Sequence, residues 1–252
     1  MFLKLWKYEI KCSYRTYLLL YAILLLLPFF MNVNMQILST LSVILYSVMI
    51  IITLVMTFVL IIRNYNQSMF SRAGYLTMTL PVSSNKILLV KILNATLWFI
   101  LSYIVIALSV ILITTRIGEI SFGDLFEIFG QVFRNVTFET WVYLLEFTVG
   151  MLQMVTMIYM ILNITHTNYI RKHRGIIGIA IFIVLEIILS YVNGLLYTNG
   201  GASIFTFLFS ANTATLNYSS NTLYITLLED LVLLVLFYFG ASYLLDHKLE
   251  LE

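Results

Sequence analysis

The sequence predicts an all-α integral membrane protein with six transmembrane helices, and three observations carry that prediction. Of the 252 residues, 61% are hydrophobic and 10% are charged, against about 45–50% and about 25% in soluble domains. So few charges could not cover the surface of a soluble fold, and a chain this apolar does not stay disordered. The apolar residues fall into six stretches, each near the roughly 20 residues that a helix needs to cross a bilayer. The 14 Lys and Arg divide very unevenly between alternate loops. The single cysteine, Cys12, excludes a disulfide-stapled secreted domain.

The spans are expected at about 16–38, 40–62, 92–115, 138–165, 176–198 and 223–245 of a single transmembrane domain. No Asp, Glu, Lys, Arg or His lies between Thr16 and Ile62, which leaves room for two spans and a tight turn. Runs such as 17–27 and 43–62 do not alternate as barrel strands do, so the spans are helices. Pro28 lacks a backbone donor and should kink the first helix or end it early. No small-residue cleavage pattern follows that helix, so it reads as a span rather than a signal peptide. Twelve of the Lys and Arg lie before span one, between spans two and three, between four and five, and after six; only Arg116 and Arg134 lie in the alternate loops. The positive-inside rule then predicts cytoplasmic termini.

Four segments outside the spans carry information. The lead-in mixes Phe2, Leu3, Leu5, Trp6 and Ile10 with Lys4, Lys7 and Lys11. It is expected to form an N-terminal interfacial helix lying flat on the inner face, with Trp6 and Tyr8 at headgroup depth. The outer loop 116–137 sets Ile117, Ile120, Phe122, Leu125, Phe126, Ile128, Phe129 and Phe133 against Glu119, Asp124 and Glu127. That pattern predicts a short amphipathic helix, limited in length by Gly118, Gly123 and Gly130. Loop 199–222 has no charge and opens on a turn signal, Asn199-Gly200-Gly201. Its apolar run 204–209 is too short to span and reads as re-entrant or interfacial.

The fourth segment, 63–91, joins spans two and three. Residues 63–73 predict a short surface helix stopped by Gly74. Residues 75–80 are apolar and threonine-rich, Pro81 forbids helix continuation, and Ser83 or Ser84 offers an N-cap for the helix that becomes span three. A folded cytoplasmic knuckle of this kind is shaped to dock a soluble partner. Its run Arg72-Ala73-Gly74-Tyr75-Leu76-Thr77-Met78-Thr79-Leu80-Pro81-Val82-Ser83, followed by Lys86 and Lys91, resembles a segment of the permease subunits of bacterial ABC-2-type exporters. The rest of the chain is similar in outline only, through its six spans, cytoplasmic ends and basic lead-in. The resemblance implies a coupling helix or loop resting on an ATP-binding cassette subunit, with Arg72, Gly74, Tyr75, Leu76, Thr79, Leu80 and Pro81 in or beside the contact. It also implies a bacterial plasma membrane and a second permease copy, as a homodimer or a related partner. In size and in its lack of large external loops the chain is similar to small Gram-positive exporters of amphipathic peptides, including the phenol-soluble-modulin exporters.

The chemistry of the chain is sparse. It has no Gly-x-x-x-x-Gly-Lys-Ser/Thr run to cradle phosphates, no His-Glu-x-x-His zinc motif and no Gly-x-Ser-x-Gly elbow. The chain itself is therefore expected to hold no catalytic residue, metal or cofactor, with ATP and Mg on the partner subunit. His166, His173 and His247 are expected to be solvated in cytoplasmic loops. No basic, aromatic-interleaved patch suits nucleic acid.

The acids within spans matter more, because a charge at the bilayer centre costs about 2.5–3.5 kcal/mol on insertion scales. Glu139, Glu146 and Gln153 recur every seven residues along span four, and Glu186, Ser190, Asn193 and Tyr197 share a face of span five. Glu146, Gln153, Glu186, Ser190 and Asn193 either line a translocation path or hydrogen-bond between helices. Met151, Met154, Met157 and Met160 read as packing. The expected function is the transmembrane subunit of an ATP-driven exporter that moves amphipathic or cationic peptides, or lipid-like molecules, taken from the membrane lipids. The alternatives are a non-transporting immunity or accessory protein and a proton-coupled secondary carrier.

Overall fold

The computed structural model describes residues 2–30, 36–71, 83–117, 122–167, 172–196 and 220–247. Among them the regular elements are α1 (Phe2–Phe30), α2 (Gln36–Met69), α3 (Ser84–Ile117), α4 (Phe122–Arg134), α5 (Phe138–Thr165), α6 (Arg174–Leu196) and α7 (Ser220–His247). All but α4 are long and apolar enough to cross a membrane. At about 1.5 Å per residue, the 34 residues of α2 and of α3 each reach about 50 Å. A hydrocarbon core is about 30 Å thick, so both helices extend past it.

Two helices run further than their apolar stretches. α1 starts at Phe2 and continues unbroken through the basic lead-in and the span to Phe30, two residues past Pro28. The lead-in and the span thus form one continuous helix, and residues 2–15 contain no Gly or Pro to break it. Likewise α2 carries on through 63–69, where a separate surface helix was expected. α3 begins at Ser84, where the serine N-cap signal puts it. α4 keeps Gly123 and Gly130 inside its 13 residues. At about 100° per residue its apolar positions fall on one side and Asp124, Glu127, Gln131 and Arg134 on the other. The expected re-entrant run 204–209 lies outside the described residues.

The chain divides into two compact units, Met1–Ser68 with Asn85–Phe138 and Met69–Ser84 with Glu139–Glu252. In the first unit α1, α2 and α3 pack through aromatic rings and hydroxyls. The Tyr17 ring stacks on Trp98 at 4.2 Å with planes 6° apart, and Tyr21 completes that cluster. The Tyr21 hydroxyl lies 2.7 Å from Ser102 Oγ, which lies 3.0 Å from Thr57 Oγ1. One turn-pair further along, Tyr46 and Ser109 meet at 2.7 Å. In the second unit Met157 and Ile161 of α5 pack on Phe237 of α7, with Ile181 and Leu185 of α6 against them. Asn163 Nδ2 donates to the Ala241 carbonyl at 3.1 Å. A Cβ at Gly240 would lie 3.0 Å from Met160 Sδ, so a larger residue there would require the Met160 side chain to shift. Met151, Met154 and Met157 are buried, so their spacing serves packing.

The distribution of side chains is reversed relative to a soluble protein. Ile176, Ile179, Ile183, Ile187 and Tyr191 of α6 are more than half exposed, whereas Thr53, Thr57, Ser102, Ser109 and Asn163 are at most 1% exposed. Apolar faces turned outward suit lipid, and Thr57, Ser102, Ser109 and Asn163 turned inward find partners on other helices. The architecture is that of a multi-pass membrane protein.

Candidate functional site

The most polar buried site of the first unit lies where α1, α2 and α3 meet beside the connection between α2 and α3. Its acid is Glu9, the sole Asp or Glu ahead of Glu119. Glu9, Ser13 and Tyr17 recur every four residues, so they share the buried face of α1. Its base is Lys91, two turns into α3 and 3% exposed. Lys91 Nζ donates to Glu9 Oε1 at 2.7 Å and also to Ser68 Oγ. Ser68 Oγ donates to the Asn64 carbonyl at 2.7 Å. Asn64 Nδ2 reaches Ser13 Oγ at 3.4 Å, and Ser13 Oγ donates to the Glu9 carbonyl at 2.8 Å. The chain of bonds thus returns to Glu9 after passing through all three helices. Burying two charges costs several kcal/mol per ion, by order of magnitude, and only short charge-assisted bonds of this kind offset it.

This site corrects the sequence reading, which placed Lys91 among the loop charges. Because α3 starts at Ser84, Lys91 falls inside the helix and faces α1. Two signals were present: an isolated acid among four bases, and a lysine interrupting the apolar run from Ile87 to Leu93. Neither says which residue the other meets.

The expected coupling residues, Arg72, Gly74, Tyr75, Leu76, Thr79, Leu80 and Pro81, lie outside the described residues. Their near rim is described. Residues 69–71 group with the second unit, although the rest of α2 belongs to the first. The Phe70 ring stacks on His166 at 3.8 Å with planes 3° apart. His166 follows the last turn of α5, with Nδ1 2.9 Å from the Leu162 carbonyl. It is therefore a half-buried packing residue, not a solvated loop histidine. His173 is exposed and adopts φ 55°.

The expected path residues are spread over two helices. On α5, Gln153 is buried and Glu146 half-buried; on α6, Glu186 is half-buried and Ser190 exposed. Asn193 belongs to α6, with its side chain outside the described residues, and Tyr197 also lies outside them. Among the described residues no hydrogen bond or ion pair joins Glu186 to Glu146 or Gln153. What the structure adds is Asp230 of α7, which lies within electrostatic reach of Glu146. Among the described residues no three His, Cys, Asp or Glu side chains converge to hold a metal.

Comparison with protein-family models, with curated proteins and with solved structures gives no match to this chain.

Proposed function

We propose that this chain is the transmembrane subunit of an ATP-driven exporter of the ABC-2 type. In this reading a separate nucleotide-binding subunit supplies ATP hydrolysis and docks on residues 72–81. The cargo is an amphipathic or cationic peptide, or a lipid-like molecule, drawn from the membrane, and a second permease copy completes the path. The observation that carries the reading is how the rim of the knuckle is held. Ser68 is tied to Lys91 and Glu9 within the first unit, and Phe70, two residues on, is stacked on His166 within the second. A load applied beyond these residues is passed to α1–α3 and to α5 instead of being absorbed by slack chain. Rigid transmission of that kind is what a partner-driven switch between two conformations requires.

The test is purification of the tagged chain from its native membrane. An ATPase is expected to co-purify with the wild type and to be lost with Leu80→Asp, with Tyr75→Ala giving a weaker complex. An undiminished pull-down of the Leu80→Asp chain would count against docking at this segment.

A lining role for Glu186 has its own measurement. Glu186→Gln is expected to lower cargo-stimulated ATP turnover of the complex, and wild-type turnover rejects the role. The proximity of Asp230 to Glu146 favours one other reading, a proton-coupled carrier. That carrier would transport in response to a pH gradient in vesicles without ATP.

A further inference from the structure

The continuity of α1 gives its basic residues a geometry that a flat lead-in would not. Lys4, Lys7, Lys11 and Arg15 are all exposed. At about 100° per residue they fall within an arc of about 80° on one side of the helix, and from Lys4 to Arg15 they run about 16 Å along it. The opposite side is the buried seam of Glu9, Ser13 and Tyr17. That side is fixed to α2 and α3 by the Lys91–Glu9 pair, the Asn64–Ser13 bond and the Tyr17–Trp98 stack. The basic row is therefore held in one orientation. The arginine leans on its neighbour, with Nε donating to the Tyr14 hydroxyl at 3.3 Å, and Leu3 and Tyr8 beside the row are 71% and 65% exposed.

Depth follows from charge. Arg15 is the last charged residue before the charge-free stretch that opens at Thr16. Arg15 is drawn to the edge of the core, where its long side chain extends toward the headgroups. Lys11, Lys7 and Lys4 then follow through the headgroup layer, where each base near an anionic surface gains favourable electrostatic energy.

We propose that Lys4, Lys7, Lys11 and Arg15 form a binding strip for the phosphate headgroups of anionic phospholipids in the leaflet on the side of the chain's N-terminus. The strip is independent of any exporter function. Four like charges aligned on a rigid face bind several anionic headgroups at once, whereas zwitterionic headgroups offer no net charge. Bound anionic lipid in turn sets the depth and tilt of α1, and so of the Glu9–Lys91 site on its other side.

The experiment uses the full chain purified in detergent and exposed to phosphatidylglycerol or phosphatidylcholine, with retained lipid counted by native mass spectrometry. The wild type is expected to retain phosphatidylglycerol in preference to phosphatidylcholine, and added NaCl to weaken that preference. The triple variant Lys4→Gln/Lys7→Gln/Lys11→Gln is expected to lose it, and Lys4→Arg/Lys7→Arg/Lys11→Arg to keep it. Circular dichroism melting checks that both variants fold as the wild type does. Equal retention of the two lipids by the wild type, or an undiminished preference in the glutamine variant, would overturn the proposal. So would loss of a co-purifying acidic protein with lipid preference unchanged, which would assign the row to a protein partner.

Discussion

Lys91→Met is expected to destabilise the protein by about 3–5 kcal/mol, the cost of leaving a buried charge without its partner. Glu9 would keep its carboxylate at a site where the Lys91 ammonium lies 2.7 Å away in the wild type, and Ser68 would lose the same donor. Glu9→Gln is expected to cost a comparable amount by stranding the ammonium. The double variant Glu9→Leu/Lys91→Met is expected to recover most of the loss, because well-packed apolar residues often replace a buried ion pair without penalty. Unfolding in detergent micelles of the wild type, both single variants and the double variant gives the coupling energy directly. Single variants as stable as the wild type would mean that water screens the pair and that it holds nothing. If the double variant is stable yet lowers ATP turnover of the proposed complex, the pair transmits load as well as holding the fold.

Trp98→Ala should be the most damaging apolar truncation in the first unit, at about 3–5 kcal/mol. The indole is 6% exposed and stacks on Tyr17, and Ile10, Leu60, Leu101 and Val105 pack against the same cluster. Lipid offers no hydrophobic drive to close the resulting gap, so the loss is one of direct contacts. A double-mutant cycle with Tyr17→Phe and Tyr17→Ala separates the ring stack, worth about 0.5–1.5 kcal/mol beyond its area, from the filling of space. Thermal unfolding followed by circular dichroism reads both. A Trp98→Ala variant that melts with the wild type would show that the three helices associate without the aromatic cluster.

Much of the architecture was legible because crossing a bilayer is a local requirement. Apolar length locates the helices that became α2, α3, α5, α6 and α7, even where Glu146, Glu186, Glu229 or Asp230 interrupts it. Helix ends were less legible. The apolar stretches stop near Arg63 and Thr16, yet α2 runs on to Met69 and α1 starts at Phe2. A helix ends where a breaker or a lost partner ends it, not where hydropathy falls. The acids Glu146 and Glu186 were visible as costly groups, but their surroundings were not, and Asp230 gains interest only because α7 brings it toward Glu146. His166 offered no sequence signal beyond being a histidine, since its stacking on Phe70 depends on where the chain returns after α5.

By itself the sequence determined six apolar crossings, an uneven charge distribution and the absence from the chain of a phosphate-binding motif. Each is a sum over neighbouring residues. Only the tertiary structure decided that Glu9 meets Lys91, 82 residues away along the chain, and that four bases share the exposed side of α1 while its acid faces inward. The physical reason is that hydropathy reports the cost of meeting lipid, the same for every copy of a residue type. The partner of a buried charge is set by which helix faces come into contact, and that choice is made by the packing of the whole unit.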